Sequence, residues 1–139
     1  MADLETIAQQ IRQDYQIFPK DQSYDLYAPD VYFKDPLNEF RGIERYQKMI
    51  GFLGKYFQDI DLQLHSLEQQ ADRLESCWTL SWTTPLPWRP RIAISGRSEL
   101  LINSNGLISS HIDYWDCSIW QVVQQHFFPN SQWSPHSKS

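Results

Sequence analysis

The N-terminal part of the chain carries apolar residues at the spacing of amphipathic helices. Between residues 3 and 17, apolar side chains recur every three or four positions and predict a first helix with one buried face. A second helix is predicted over residues 21–28, because an aspartate can cap its start and a proline stops it. A third is predicted over residues 43–57, where the same spacing returns.

From residue 59 onward, apolar and polar residues alternate, which is typical of strands that bury one face. This pattern predicts strands at 59–65, 74–83, 91–103 and 107–117, after a short strand at 31–33. The dipeptide Asn105-Gly106 predicts a tight hairpin between the last two strands, because both residue types accept the positive φ angles of such a turn. Helices followed by a run of antiparallel strands indicate an α+β fold with the helices on one face of the sheet.

The composition indicates one folded domain with an aromatic core. Of the 139 residues, 41% are hydrophobic and 14% are aromatic, a content too high for a disordered chain. A chain of this length buries enough surface to be stable alone. The domain is predicted to span residues 1–126. Residues 127–139 lack apolar periodicity and are predicted to form a loosely ordered tail.

The charges and the cysteines limit the classes of partner and cofactor. The formal net charge is −5 and no cluster of Lys or Arg follows one face, so nucleic acid is not expected as a partner. No segment has the length and hydropathy of a membrane span, and the first ten residues lack the pattern of a signal peptide. We therefore expect a cytoplasmic protein that does not enter a membrane. Cys77 and Cys117 have no metal-ligand spacing, and we expect no disulfide, no metal and no cofactor.

Several short motifs resemble those of a known superfamily. They are residues 26–36, with the sequence Leu-Tyr-Ala-Pro-Asp-Val-Tyr-Phe-Lys-Asp-Pro, then Gly42, Gly106-Leu107-Ile108 and Asp113-Tyr114-Trp115-Asp116. On these residues the chain resembles the nuclear-transport-factor-2-like superfamily, which includes SnoaL-like and ketosteroid-isomerase-like proteins. The resemblance implies a cone-shaped, cystatin-like α+β fold, in which N-terminal helices pack on a curved antiparallel sheet around a pocket. It predicts the fold better than the function, because its members include both enzymes and non-catalytic domains.

A closer resemblance spans roughly residues 5–120. It rests on Pro87-Trp88-Arg89-Pro90, Gly96-Arg97-Ser98 and His111-Ile112-Asp113-Tyr114-Trp115-Asp116. These motifs are similar to those of an uncharacterised family of photosynthetic organisms. Because that family is one of unknown function, this resemblance implies no activity.

The superfamily resemblance implies three candidate catalytic residues. Asp35 stands in the Asp-Pro context in which ketosteroid isomerases place their general base. Asp113 matches the pocket aspartate that polyketide cyclases of this fold carry on the last strand, with a histidine nearby. His111 is two residues away, so on a strand His111, Asp113 and Trp115 project to one face and can line one cavity.

The same resemblance implies residues that bind a ligand in the pocket. The second acid of the isomerases falls at Ser98, and their phenol donor has an approximate counterpart in Tyr15. The Arg-Asp pair of epoxide hydrolases of this fold falls at Cys77 and Thr79. The candidate ligand-binding residues are Tyr15, Tyr32, Cys77, Ser98 and Trp115.

Each candidate also has a structural interpretation. An Asp-Pro step such as Asp35-Pro36 is an ordinary way to end a strand, and a His–Asp pair on one strand also stabilises a fold without catalysis. The alternating tryptophans either stack on a ligand or belong to a core or an interface. Because exposed sheet faces rich in Trp and Leu bind partners, we expect a homodimer through the sheet face. The loop 87–90 is either a docking element or a rigid connection between strands.

The sequence is compatible with three functional hypotheses. The leading one is a pocket that binds a small, largely apolar molecule, with or without catalysis. The alternative is a cofactor-independent isomerase or cyclase, in which Asp113 or Asp35 transfers a proton and His111 assists. The third is a non-catalytic protein-interaction module. A dry cavity with a raised carboxylate pKa favours an enzyme, whereas a filled cone and a large exposed aromatic patch favour interaction.

Overall fold

Three helices and a short turn pack around one curved, unclosed sheet of six strands. A computed structural model describes residues 3–128 of the chain. Its elements are α1 (Leu4–Ile17), a 3-10 turn (Tyr24–Leu26), β1 (Tyr27–Lys34), β2 (Glu39–Arg41), α2 (Ile43–Tyr56), β3 (Gln58–Gln70), β4 (Arg73–Thr83), β5 (Arg91–Ile102), β6 (Ile108–Trp115) and α3 (Ile119–Phe127). The predicted α+β class is confirmed. None of the helices between residues 3 and 128 is both long and apolar enough to cross a membrane.

The strands follow the order β2-β1-β6-β5-β4-β3 across the sheet. All neighbours are antiparallel except β1 and β6, which are parallel. The register of β4 and β5 is unbroken, whereas β3 has an irregularity between Leu64 and Ser66. A bulge of this kind bends a strand and increases its twist, which curls the sheet around the helices.

Helix α1 packs against the sheet through its buried face. Its start is capped by Asp3, whose Oδ1 accepts a hydrogen bond from the backbone N of Thr6 at 2.8 Å. The helix buries Ile7 and Ile11, at the spacing that the sequence predicts. These side chains form one core cluster with residues from β1, β4, β5 and β6, namely Val31, Leu74, Leu100 and Ile108.

Residues 21–28 do not form the predicted second helix. Asp21 has a φ of 50°, which a right-handed helix does not accept, and only residues 24–26 make a 3-10 turn. The buried carboxylate of Asp14 on α1 holds the segment instead, because it accepts hydrogen bonds from the backbone N and from Oγ of Ser23, both at 2.9 Å. A tertiary contact therefore overrides the local capping and proline signals.

Helix α3 was not predicted, although its start carries a recognisable signal. Ser118 Oγ accepts from the backbone N of Gln121 at 3.1 Å, and Gln121 Oε1 accepts from the backbone N of Ser118 at 2.8 Å. This reciprocal pair is a capping box, which is visible in the sequence as Ser-x-x-Gln before an apolar run. The helix ends at Phe127, one residue past the predicted domain boundary, and residues 129–139 of the predicted tail lie outside the described residues.

The predicted hairpin between β5 and β6 is present, but its turn is longer than an Asn-Gly dipeptide. The backbone N of Gly106 donates to the carbonyl of Asn103 at 3.0 Å, and Asn103 Oδ1 accepts from the backbone N of Leu107 at 3.1 Å. Gly106 has a φ of 77°, whereas Asn105 is not in the positive-φ region. The loop therefore needs a positive φ only at its glycine.

The bulky face of β4 points into the cone rather than toward a partner. Trp78 and Trp82 are buried there, while Cys77 on the opposite face is exposed among small polar residues. The tryptophans of β4 that motivated the predicted homodimer therefore do not form an exposed face. The homodimer stays a prediction, without that support.

Candidate functional site

A cavity of about 490 Å³ lies between the concave face of the sheet and the helices. Its size falls within the range of pockets that hold small organic molecules. Ten aromatic residues line it, and they come from both layers of the fold. Those from the helices and the segments that follow them are Tyr15, Phe18, Tyr46, Phe52 and Phe57; those from the strands are Tyr27, Phe33, Trp78, Trp82 and Trp115. The cone is therefore not filled by its own side chains.

A polar network stands inside this apolar lining, and its centre is the carboxylate of Asp113 on β6. Asp113 Oδ1 accepts from Ser98 Oγ at 2.5 Å and from His111 Nε2 at 2.8 Å. Ser98 Oγ in turn accepts from the indole Nε1 of Trp78 at 2.8 Å. Since a carboxylate only accepts, the network assigns the proton on His111 to Nε2.

The other face of His111 meets aromatic rings. Its Nδ1 lies 3.4 Å from the phenol oxygen of Tyr27, a distance at which the hydrogen bond is weak. The imidazole centroid lies 5.1 Å from the ring of Phe33 and 5.6 Å from the ring of Tyr46. These contacts fix the imidazole plane, so His111 orients Asp113 rather than moving freely in the cavity.

The second carboxylate oxygen of Asp113, Oδ2, accepts no hydrogen bond from any residue between 3 and 128. The Asp113 side chain is 18% exposed and lines the cavity. An acceptor with no protein partner is therefore available to a molecule inside the cone. It can bind a donor or take a proton.

Burial keeps the phenols around the network protonated. Tyr15 is hydrogen-bonded to Ser76 Oγ at 2.8 Å, and its burial raises its pKa to about 12. Burial also raises the pKa of Tyr27 and that of Tyr46. All three side chains therefore stay neutral at physiological pH.

Stability is expected to fall steeply in alkali because Tyr15 resists ionisation in the folded state. Its pKa rises from an ordinary value of 10.0 to about 12 on folding, so its contribution is complete below pH 10 and is lost as the pH rises through 12. Tyr15→Phe should lose less free energy of unfolding than wild type between about pH 9 and about pH 11, as urea titrations measure. Tyr56→Phe, at an exposed position, is the control and should follow wild type. Equal losses in Tyr15→Phe and wild type would contradict the assignment.

Asp35 lies at the cavity but is largely engaged by its own loop. Its Oδ1 accepts from the backbone N of Leu37 at 2.8 Å and of Asn38 at 2.7 Å, and the amide of Asn38 contacts both oxygens. Burial raises the pKa of Asp35, while these hydrogen bonds act in the opposite direction. These hydrogen bonds close the loop that follows β1, which is the structural role that an Asp-Pro step at the end of a strand predicts for Asp35.

Two predicted ligand-binding residues, Tyr32 and Cys77, lie outside the cavity. The Tyr32 hydroxyl donates to Glu39 Oε2 at 2.6 Å on the outer surface, because Phe33 takes the inward position on β1. Cys77 is exposed on the outer face of β4, because its neighbour Trp78 points inward. Strand alternation makes both assignments wrong. The other predicted residues line the cavity, namely Tyr15, Asp35, Ser98, His111, Asp113 and Trp115, and their roles stay predictions.

Helix α3 adds His126 to the cavity, a residue that the sequence interpretation missed. Its Nδ1 donates to the carbonyl of Val122 at 2.9 Å, so its Nε2 accepts from Thr84 Oγ1 at 2.9 Å. The indole Nε1 of Trp88 donates to the carbonyl of His126 at 2.6 Å. The loop 87–90 thus anchors α3, which favours the predicted rigid connection over a docking element.

The glycine of the Gly96-Arg97-Ser98 motif has a structural explanation. A Cβ at Gly96 would lie 3.0 Å from the Trp78 ring and would collide with the carbonyl oxygen of Tyr114. The missing side chain therefore lets β6 and the Trp78 indole approach β5. That approach places the indole against Ser98, and so supports the network around Asp113.

Between residues 3 and 128, no group of three or more His, Cys, Asp or Glu residues lies in a position to hold a metal ion.

Solved structures of related proteins confirm the predicted nuclear-transport-factor-2-like fold. A hypothetical protein of ketosteroid-isomerase-like fold from Catenulispora acidiphila, solved with trimethylamine, has a TM-score of 0.69 and 15% identity over 97% of this chain and 100% of its own. A candidate SnoaL-like polyketide cyclase from Shewanella denitrificans has a TM-score of 0.67 and 16% identity, over 87% and 96%. An LEH-like epoxide hydrolase from M. tuberculosis has a TM-score of 0.66 and 11% identity, over 85% and 86%. At these identities the similarity shows the fold alone.

Sequence comparison adds the family. No curated protein matches the chain. None of the comparisons bears on the predicted link to photosynthetic organisms, which stays a prediction. The model of the family described as "Uncharacterized conserved protein (DUF2358)" matches residues 5–111, more than half of the chain, and this protein therefore belongs to that family.

Proposed function

We propose that this protein binds one small, largely apolar organic molecule inside the cone, with the polar end of the ligand at Asp113. The observation that carries the proposal is the cavity of about 490 Å³, whose aromatic lining surrounds one cluster of polar groups. A site of this kind gains affinity from apolar contact and orientation from a few polar atoms. Each 100 Å² of apolar ligand surface removed from water stabilises the complex by roughly 2.5 kcal/mol before the costs of binding.

The named chemistry of the structural neighbours is consistent with this class of ligand. Trimethylamine, epoxides and polyketides, which appear in the descriptions of three neighbours, are all organic molecules. A non-catalytic interaction module predicts a cone closed by its own side chains, and the open cavity argues against that hypothesis.

Filling the cavity from its wall is expected to weaken binding of an apolar probe. Leu62 on β3 lines the cavity, and Leu62→Trp should weaken binding of the uncharged dye N-phenyl-1-naphthylamine about tenfold, since overpacking costs about 1–3 kcal/mol. The increase in dye fluorescence on titration with protein measures the affinity.

The matched control is Gln63→Trp at the next position of the same strand. Gln63 is exposed on the outer face, so this variant adds the same indole without entering the cavity and should bind the dye as wild type does. Equal weakening in both variants, or no saturable binding to the wild-type chain, would contradict the proposed function.

A second candidate function is proton transfer, as in an isomerase or a cyclase, and the open Oδ2 of Asp113 favours it. This oxygen could take a proton from the carbon next to a bound carbonyl group, while Ser98 and His111 hold the carboxylate through Oδ1. The carbonyl oxygen then gains negative charge. Neutral phenols are suitable donors to such an oxygen. Tyr15 and Tyr27 in the lining would serve if the ligand replaced their present partners, which are Ser76 and His111.

A further inference from the structure

We propose that the ligand is an amine that binds in its protonated form, with an N–H group donating to Asp113 Oδ2. This inference rests on the proposed binding function and names its ligand class. It also excludes carboxylates and phosphates as ligands of the same cavity.

The charge of the lining is the first argument. Among the described residues that line the cavity, Asp14, Asp35 and Asp113 are acids and none is Lys or Arg. The two imidazoles are those of His111 and His126. With the three carboxylates ionised, the lining carries −3 if both imidazoles are neutral and −1 if both are protonated. The cavity is negative in either case, so it attracts a cation and repels an anion.

The hydrogen-bond directions are the second argument. An anionic head group needs free N–H or O–H donors, but both imidazoles are engaged. His111 Nε2 donates to Asp113 and its Nδ1 faces Tyr27. His126 Nδ1 donates to the carbonyl of Val122. Of the phenols in the lining, that of Tyr15 is hydrogen-bonded to Ser76 and that of Tyr27 faces His111 Nδ1. Within residues 3–128, Asp113 Oδ2 is a cavity acceptor that accepts no hydrogen bond, and an ammonium N–H is its charged complement.

The aromatic lining is the third argument. Ten aromatic rings line the cavity, and the face of an aromatic ring attracts a nearby cation. A carboxylate within an aromatic wall therefore stabilises an ammonium head group on two sides while the rest of the ligand stays in apolar contact. An uncharged alcohol would gain the hydrogen bond to Oδ2 but not the attraction to the charge.

Three probes that share one ring system test the inference by isothermal titration calorimetry at neutral pH. They are 2-naphthylmethylamine, 2-naphthylmethanol and 2-naphthoate, which present an ammonium, a hydroxyl and a carboxylate. The amine is expected to bind about tenfold more tightly than the alcohol, because charge-assisted hydrogen bonds are about twice as strong as neutral ones. The carboxylate is expected to bind more weakly than the alcohol.

Asp113→Asn isolates the carboxylate. The variant should bind the amine no more tightly than the alcohol, because the charge at Oδ2 is gone while the size of the side chain is kept. Asp116→Asn is the matched control, since Asp116 is exposed and outside the cavity, and it should keep the wild-type preference for the amine. Circular dichroism checks the fold of each variant, and the ranking of the three probes by the wild-type chain is decisive if Asp113→Asn does not fold.

The outcomes separate this inference from the function on which it rests. Equal binding of all three probes, or tightest binding of the carboxylate, would overturn the amine inference and leave the binding function in place. If the Asp113→Asn variant folds and still binds the amine more tightly than the alcohol, the assignment of the ammonium contact to Asp113 is wrong. If the wild-type chain binds none of the probes and not the uncharged dye, both proposals are wrong.

Discussion

Exchange of the α-protons of a bound ketone with solvent is expected to slow about 100-fold or more when Asp113 is replaced with asparagine, if the protein transfers protons. Asparagine keeps the acceptor that Ser98 and His111 contact but has no basic oxygen to take the place of Oδ2. The bicyclic ketone 1-tetralone is a suitable probe for a cavity of about 490 Å³. The rate is the loss of its α-proton signal in D2O, followed by proton NMR.

A second variant separates the two candidate bases. Asp35→Asn is expected to slow exchange far less than Asp113→Asn, because Asp35 already accepts hydrogen bonds from the backbone of Leu37 and Asn38. Asp116→Asn, outside the cavity, should leave the rate unchanged. If the wild-type chain does not accelerate exchange above buffer, proton transfer is wrong for this probe class and binding alone remains. If Asp35→Asn causes the larger loss, the base is Asp35.

The two proposals place opposite demands on Asp113 and therefore constrain each other. A carboxylate that accepts a proton from a ketone must lose its charge during the reaction, whereas one that holds an ammonium keeps it. If a ligand contained both an amine and a carbonyl group, Asp113 could take the proton next to the carbonyl only if another group of the cavity held the amine. The cavity offers Asp14 and Asp35 as further carboxylates, but both are engaged by hydrogen bonds from neighbouring residues. Binding of an amine is thus the simpler use of Asp113.

The parts of the site that could be predicted from the sequence depend on local geometry. His111, Asp113 and Trp115 occupy alternate positions of one strand, and alternation alone puts them on the same face. For the same reason, the boundaries of α2, β4 and β5 agree with the predicted ranges to within two residues. Which face of the sheet meets the helices could not be predicted: the Trp and Leu face of β4 was expected at a dimer interface, whereas Trp78 and Trp82 are buried in the cone.

The wrong assignments concern positions at which the local sequence pattern does not indicate which side chain points into the cone. The predicted strand 31–33 contains Tyr32 and Phe33, two aromatic residues of similar size, so neither pattern nor propensity identifies the inward one. Pairing with β6 decides it, because Phe33 is opposite His111 in the parallel register. The clustering of Tyr27 and Tyr46 around His111 likewise depends on contacts between elements distant in sequence. The capping box at Ser118, by contrast, was a local signal that could have identified α3 and with it His126.

Replacement of Phe33 with alanine is expected to lower the free energy of unfolding by about 3–5 kcal/mol, the usual cost of removing a buried phenylalanine. Phe33 is 1% exposed and packs against Phe40, Tyr46 and His111, with ring centroids between 5.1 and 5.4 Å apart. Urea unfolding at neutral pH measures the loss. The same variant removes one of the rings that fix His111, so a folded Phe33→Ala should also bind the cavity ligand more weakly.

Tyr32→Ala is the matched control, because it removes an aromatic ring at the adjacent position of the same strand. Tyr32 projects to the outer surface, where its hydroxyl donates to Glu39 and the guanidinium of Arg41 lies 5.2 Å from its ring. These exposed contacts contribute about 1 kcal/mol or less, so the control should lose far less stability than Phe33→Ala and keep ligand binding. Equal losses at the two positions would mean that β1 does not present Phe33 to the cone, and the arrangement of rings around His111 would then be wrong.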